Sequence, residues 1–220
     1  MKKIVALLAG GLLAMSMAQA TTVTPPSATF GPVETNWTTP LALQQFNNEL
    51  GTLTSVVFNY GGTFTSIFKE ENLASAPATI TINTGGNLVF GLPISNTLSF
   101  IKSDSRLVAR FDGTNGSGGL PGFVSLPVEV TNIGTSTITS NLATFIGLGT
   151  FGIPVRADAL SSASSTGNFA SQINTTAQAN IQVTYTFTEA PRQVPEPGSL
   201  ALLGLALAGL GVMRRKSAQA

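Results

Sequence analysis

Residues 181–188 read Ile-Gln-Val-Thr-Tyr-Thr-Phe-Thr, and this segment decides the fold class because apolar and polar side chains alternate at every step. A period of two puts the apolar side chains on one face of a β-strand and the polar ones on the other. The same alternation recurs in residues 79–83 and 125–131. These segments predict half-buried strands of an antiparallel sheet.

Further strand candidates flank these segments. They are residues 53–60, 63–68, 87–91, 97–101, 107–111 and 136–139. Turn signals separate many of them: Gly61-Gly62, Gly85-Gly86, Asn115-Gly116 and Pro121-Gly122. About nine short strands separated by such turns predict an all-β fold, either an antiparallel β-sandwich or a jelly roll.

Three segments are less regular. Residues 23–40 contain four prolines and predict an extended arm or a first edge strand. Residues 41–50 allow a short helix, although Asn47-Asn48 favours a loop. Residues 161–180 are rich in serine, alanine, threonine and asparagine, which predicts a long surface loop or a weakly ordered strand.

The charges are few and concentrated at the two ends. The chain of 220 residues has 11 basic and 10 acidic side chains, a formal charge of +1. Residues 21–194 hold six of the basic and nine of the acidic side chains, so this part carries −3. Phosphate binding needs a basic surface, and we therefore exclude nucleic acid as a partner.

The chain contains no histidine and no cysteine. A Ser-His-Asp or Cys-His arrangement and a zinc site of the usual ligands therefore cannot form. We expect no enzyme activity and no cofactor. A pair of carboxylates, as in glycosidases, is the remaining catalytic possibility. Its candidates are Glu34, Glu49, Glu70, Glu71, Asp104, Asp112, Glu129, Asp158 and Glu189.

Two weak binding candidates stand out. Asp112 and Asn115 lie in a glycine-rich stretch and offer oxygen ligands for calcium, but a single carboxylate favours a flexible hairpin loop. Trp37, the one tryptophan, is either a platform for sugar binding or a plug at the end of the sandwich. Large aromatic side chains usually bury, which favours the plug.

Residues 1–20 have the three parts of a secretory signal peptide. Lys2 and Lys3 precede an apolar run, and Ala18-Gln19-Ala20 supplies small residues at a cleavage point. We expect signal peptidase to cut after Ala20 and residues 21–190 to form the exported domain.

The C-terminus has three parts in order. Residues 191–198 form a linker that contains Pro195-Glu196-Pro197, residues 199–213 are uncharged, and residues 214–220 begin with Arg214-Arg215-Lys216. We expect a short transmembrane helix over 199–213 with the basic tail in the cytoplasm. The export signal also starts inside, so the domain between the two lies across the membrane.

This order of Pro-Glu-Pro, short apolar helix and arginine cluster resembles the PEP-CTERM protein-sorting signal. The resemblance implies recognition by an exosortase and removal of the helix near Pro195-Glu196-Pro197. It also implies a Gram-negative bacterium that makes exopolysaccharide and biofilm, an inner-membrane precursor, and a mature form at the cell surface or outside the cell. A plain single-pass anchor is the alternative for this segment.

Residues 45–56, Gln-Phe-Asn-Asn-Glu-Leu-Gly-Thr-Leu-Thr-Ser-Val, are similar to the opening of the choice-of-anchor E domain family. The strand at 183–187 is similar to the end of that domain, which implies a β-domain over residues 21–189 without an established activity. Together these features predict a structural, non-catalytic protein of the extracellular matrix. A carbohydrate-binding module for extracellular polysaccharide, with Trp37 as a candidate platform, is the alternative, and a hydrolase is disfavoured.

Overall fold

The computed structural model of the protein describes residues 20–190 and 204–207. Residues 20–190 form eleven β-strands. They are β1 (Ala20–Val23), β2 (Ala28–Glu34), β3 (Trp37–Gln44), β4 (Gly51–Asn72), β5 (Ala78–Phe90), β6 (Asn96–Val108), β7 (Gly122–Val124), β8 (Val128–Ile138), β9 (Thr150–Ala159), β10 (Ser162–Ser165) and β11 (Phe169–Glu189). Short 3-10 helices occupy Asn48–Leu50 and Leu142–Phe145.

The strands form two antiparallel sheets. In the first sheet β4 and β11 pair along their whole length, with β1 and β2 beyond β11 and with β7 and β8 beyond β4. In the second sheet β5 lies between β6 on one side and β9 and β10 on the other, and β3 follows β9. The sheets pack as a sandwich, so the predicted fold class is confirmed.

The core lies between the sheets and is divided by a polar layer. A large apolar cluster includes Phe64 and Ile181, and a smaller one includes Phe68 and Ile80. The polar layer consists of Ser66, Thr84, Thr175 and Ser161, of which the first three are buried. The Oγ of Ser66 hydrogen-bonds to Thr175 at 2.8 Å and to Ser161 at 2.9 Å. These contacts satisfy the hydroxyls of Ser66, Thr175 and Ser161, whereas the buried Thr84 Oγ1 has no partner within the described residues.

The two Gly-Gly pairs were predicted as turns, and that prediction is wrong. Gly61-Gly62 lies inside β4, and Gly85-Gly86 lies inside β5. Close packing explains both pairs, because a Cβ on Gly86 would overlap the Phe64 ring and a Cβ on Gly62 would overlap Leu88. Gly62 and Gly86 thus allow the two sheets to approach, whereas a Cβ on Gly61 or Gly85 would meet the carbonyl of Asn132 or Phe100 on the neighbouring strand of its own sheet.

Of the two alternatives predicted for residues 161–180, the structure shows strand. They contain β10 and the first half of β11, and not a long surface loop. Ala177 and Ala179 point inward and are fully buried, between polar residues that face outward. Alanine is a weak strand former, so this alternation was harder to recognise than the one at 181–188.

Gly86→Ala tests the packing of the Phe64 ring. We expect it to lower the free energy of unfolding by about 1–3 kcal/mol, because the added methyl group displaces a fully buried ring. Gly118→Ala is the matched control, since a Cβ there meets nothing within 4 Å. Denaturant unfolding of both variants measures the difference, and equal stabilities would contradict the packing argument.

Candidate functional site

A groove opens between the sheets where β6 faces the segment that joins β7 to β8. It has a volume of about 440 Å³, and Ile80 and Ile82 contribute to its lining. One wall is residues 102–106 of β6, and the other is residues 123–128. Leu126 on the second wall is 85% exposed, so the groove presents apolar surface to solvent.

The β6 wall of this groove is charged. Leu98, Phe100 and Val108 of β6 are buried, so the side chains of even-numbered residues point between the sheets. Lys102, Asp104 and Arg106 share this direction but are exposed. The Arg106 guanidinium lies 4.9 Å from the centre of the Phe123 ring, a cation–π contact that orients it.

The outer face of the first sheet is rich in hydroxyl and amide groups. Asn59 of β4 lies between Thr135 of β8 and Gln182 of β11 in the register of the sheet. Thr135 Oγ1 donates a hydrogen bond of 3.0 Å to Asn59 Oδ1. These residues and Asn180 line a shallow basin of about 520 Å³. Such groups both donate and accept hydrogen bonds, as sugar hydroxyls do.

The predicted calcium candidates lie in an exposed loop that is held by other contacts. Asp112 and Asn115 are both exposed, and Asp112 Oδ1 accepts a hydrogen bond of 2.9 Å from the Thr114 backbone. The buried Glu71 accepts a 2.8 Å bond from the Gly116 backbone and thereby fixes the loop. Residues 20–190 and 204–207 contain no group of three acidic, histidine or cysteine side chains suited to a metal ion.

Trp37 packs against the large apolar cluster. Its ring meets Phe30 edge-on, with 4.9 Å between ring centres, and its Nε1 is buried. The β2–β3 connection places the two aromatic rings together, because β2 ends at Glu34 and β3 begins at Trp37. Trp37 is therefore half-buried, with its ring packed against Phe30 and the large cluster.

Glu70 is a buried carboxylic acid on the inward face of β4. The side chain is 0% exposed, Ser171 donates a 2.7 Å hydrogen bond to Oε1, and Oε2 has no partner in the described part of the chain. Burial raises the pKa of Glu70 above its ordinary value, although the Ser171 hydrogen bond opposes the shift. Glu71 is its neighbour in sequence but points to the opposite face of the sheet, so the two do not converge on one site.

The terminal signals lie almost wholly outside the described residues. Ala18, Pro195, Glu196, Pro197, Arg214, Arg215 and Lys216 belong to this part of the sequence. Ala20 is described and pairs with Thr188 at the start of β1. Residues 204–207, from the predicted membrane helix, are helical. No helix within the described ranges is both long and apolar enough to span a bilayer.

Comparison with known families identifies the C-terminal segment. The profile of the PEP-CTERM protein-sorting motif matches residues 193–216. The chain carries a PEP-CTERM motif. It is therefore an exported protein that is held at the membrane by its C-terminus and sorted by an exosortase. The match covers the predicted sorting signal and leaves the β-sandwich unassigned.

Other comparisons add little. No curated protein matches the chain. Two structures of infectious bursal disease virus, one of the Gx strain and one of the T13 viral particle, share 10% and 12% identity with it. They cover 86% of this chain, which spans about half of the viral chains at 47% and 46%, and their TM-scores are 0.23 and 0.21. Such TM-scores carry no argument about fold or function.

Sequence reasoning named Glu70 and Glu71 among the carboxylate candidates, but it missed their burial and it missed the groove. The groove joins β6 to residues 123–128, and this proximity follows from how the two sheets pack. Glu70-Glu71 is a local signal, since two consecutive acids at the end of an apolar strand are unusual.

Glu70→Gln tests the buried acid. A raised pKa means that the folded protein loses stability as the pH rises from the ordinary glutamate range through the pKa of Glu70, because the charged form is disfavoured in the core. We expect the variant to lose this pH dependence and to gain on the order of 1 kcal/mol at neutral pH.

The exposed carboxylate Glu129 supplies the control. Glu129→Gln should change the free energy of unfolding at neutral pH by less than ~0.5 kcal/mol. Unfolding in denaturant at a series of pH values measures both variants. A Glu70→Gln protein that is less stable than the wild type at neutral pH would show that the acid is not penalised by burial.

Proposed function

We propose that the mature protein is a non-catalytic component of the extracellular matrix, linked to exopolysaccharide or biofilm. The observation that carries this proposal is the combination of the sorting motif with a sandwich in which two sheets enclose a large and a smaller apolar cluster. The motif accounts for export and sorting, and the sandwich supplies a stable extracellular body without disulfides.

The distribution of acidic groups supports a non-catalytic role. Glycosidases use two carboxylates that face each other across one cleft. In the groove between the sheets the single acidic side chain is Asp104, among the described lining residues. Glu70 and Glu71 are buried on opposite faces of β4, away from any shared cleft.

The proposal also concerns the family to which the β-sandwich domain belongs. Residues 45–56 run from the end of β3 through the 3-10 helix into β4, and the segment at 183–187 lies in β11. These are the segments that resemble the choice-of-anchor E family, and they belong to the two central strands of the first sheet and their approach. We infer that the sandwich is a domain of this kind, carrying a PEP-CTERM signal as its anchor.

Replacing Pro195, Glu196 and Pro197 with alanine tests the sorting step. Proline lacks the backbone N–H that a helix or sheet uses, and Glu196 is the one charge in residues 193–198. We expect the variant to accumulate as an uncut membrane-bound precursor in a host with the exosortase, while the wild type loses everything after about Pro197. Intact-mass measurement and membrane fractionation distinguish the two forms.

Alanine at Pro25 and Pro26 is the control, because these prolines lie between β1 and β2. Processing of that variant should match the wild type. A wild-type protein that retains residues 214–220 would show that the segment is a plain membrane anchor.

A second function, binding of neutral polysaccharide, is favoured by the outer face of the first sheet. The basin there is lined by Asn59, Thr135, Asn180 and Gln182, and none of its lining residues is charged. Neutral sugars offer hydroxyl groups of matching hydrogen-bonding character. This face, instead of Trp37, is the surface that we assign to the carbohydrate-binding alternative.

Asn59→Ala together with Gln182→Ala tests this alternative. Each lost hydrogen bond is worth about 1 kcal/mol, so the pair should weaken retention on neutral glucans by at least ~10-fold. Asn83→Ala with Ser103→Ala is the matched control, since these residues form a polar pair on the second sheet. Equal retention of the two double variants, or no retention of the wild type on a glycan array, would contradict the assignment.

A further inference from the structure

β6 is an edge strand, and near its start Asn132 Nδ2 of β8 donates a hydrogen bond of 2.9 Å to the Ser99 carbonyl. β6 pairs with β5 along all thirteen of its residues, and no other strand of residues 20–190 pairs with it. An unpaired edge exposes backbone N–H and C=O groups that are able to accept another strand. The edge strands at the far side of the sandwich, β2 and β3, contain Pro32 and Pro40, which obstruct such pairing. β6 contains no proline.

The inward row of β6 carries charges of alternating sign. Lys102, Asp104 and Arg106 project into the groove, and none of them forms an ion pair within the described residues, where the one ion pair joins Arg156 and Asp158. Lys102 Nζ donates a hydrogen bond of 3.4 Å to the Glu129 carbonyl. Arg106 has the Phe123 ring beneath it and no carboxylate.

Inward charges often protect an edge strand against pairing. That protection acts through like charges that meet directly opposite each other. An alternating row behaves differently when two copies meet in antiparallel orientation. With Ser105 opposite Ser105 of a second copy, Asp104 of each chain lies opposite Arg106 of the other, and two ion pairs form.

We propose that β6 pairs with β6 of a second copy of this chain, antiparallel about a two-fold axis at Ser105. The arrangement joins the two second sheets into one continuous sheet, and the interface is isologous, as in most homodimers. The exposed Leu107 then lies opposite Ser103 of the other copy and is removed from water. The pairing deepens the structural role proposed above but does not depend on exosortase sorting.

The alternative register centred on Ser103 fits less well. It would place Lys102 opposite Asp104 but Arg106 opposite the buried Phe100, which leaves Arg106 without a carboxylate. In the Ser105 register Lys102 lies opposite Val108 and keeps its bond to the Glu129 carbonyl. Each cation of the row therefore has an acceptor.

Cysteine cross-linking tests the register, because the chain has no cysteine of its own. Ser105→Cys places two thiols opposite each other at the axis, within reach of a disulfide. In Ser103→Cys the two thiols stand four residues apart along the strands, about 13 Å, which is too far. Both serines occupy exposed outward positions on β6, so the variants are matched.

The full-length gene is expressed in a host with the exosortase, and the exported protein is oxidised and separated without reductant. We expect a disulfide-linked dimer for Ser105→Cys and a monomer band for Ser103→Cys. Cross-linking of Ser103→Cys alone, or of neither variant, overturns the proposal. The mass of each sample reports sorting separately, so a failure of sorting is distinguishable from a failure of pairing.

Charge reversal tests the interaction itself. Asp104→Arg or Arg106→Asp alone places like charges opposite each other twice in the dimer, and should weaken association by about 10-fold or more. The double variant D104R/R106D restores opposite charges and should restore association, which excludes misfolding as the cause of the loss. Sedimentation of the mature protein over a range of concentrations measures this. A wild type that is monomeric at millimolar concentration, or single reversals that associate like the wild type, overturn the proposal.

Discussion

The pairing of β4 with β11 is the constraint on which the rest of the structure depends. These strands of 22 and 21 residues stay in register from Gly51 opposite Glu189 to Asn72 opposite Phe169, with one irregularity. The two strands are far apart in the sequence, so their ladder brings the N-terminal and C-terminal parts of the domain together. The shorter strands of the first sheet join on either side of it, and its inward side chains form one wall of the core. The entropy lost in closing so long a loop is offset by burial along both strands.

The fold class was predictable because strands 181–188 and 79–83 show their period in the side chains alone. Strand length was not predictable, because Gly61-Gly62 and Gly85-Gly86 look like turns in a single sequence. The approach of Leu88 to Gly62 and of Phe64 to Gly86 exists only after the two sheets have packed. The alternation around Ala177 was hidden for a related cause: small residues fill the narrow part of a core without looking apolar enough to mark a strand.

The functional features also divide into those that the sequence shows and those that exist only in the folded structure. The sorting motif is a linear signal, so the order of its parts in the sequence was sufficient to find it. The groove depends on Arg106 meeting Phe123, and Glu71 meets the loop of Asp112 only because β7 brings that loop back to β4. The amide row of Asn59 and Gln182 was missed because it requires the register of three strands.

The hydroxyl layer divides the core of the sandwich into two apolar clusters of unequal size. Ser66 lies between Phe64 and Phe68 on β4, and Thr175 lies between Ile173 and Ala177 on β11, so each long strand crosses from one cluster to the other at a polar step. Residues that pack contiguously tend to unfold together as one cooperative unit. We therefore expect the end that holds the smaller cluster, Glu70 and the groove to open first, with faster amide exchange there than around Phe58 and Val183 of the larger cluster.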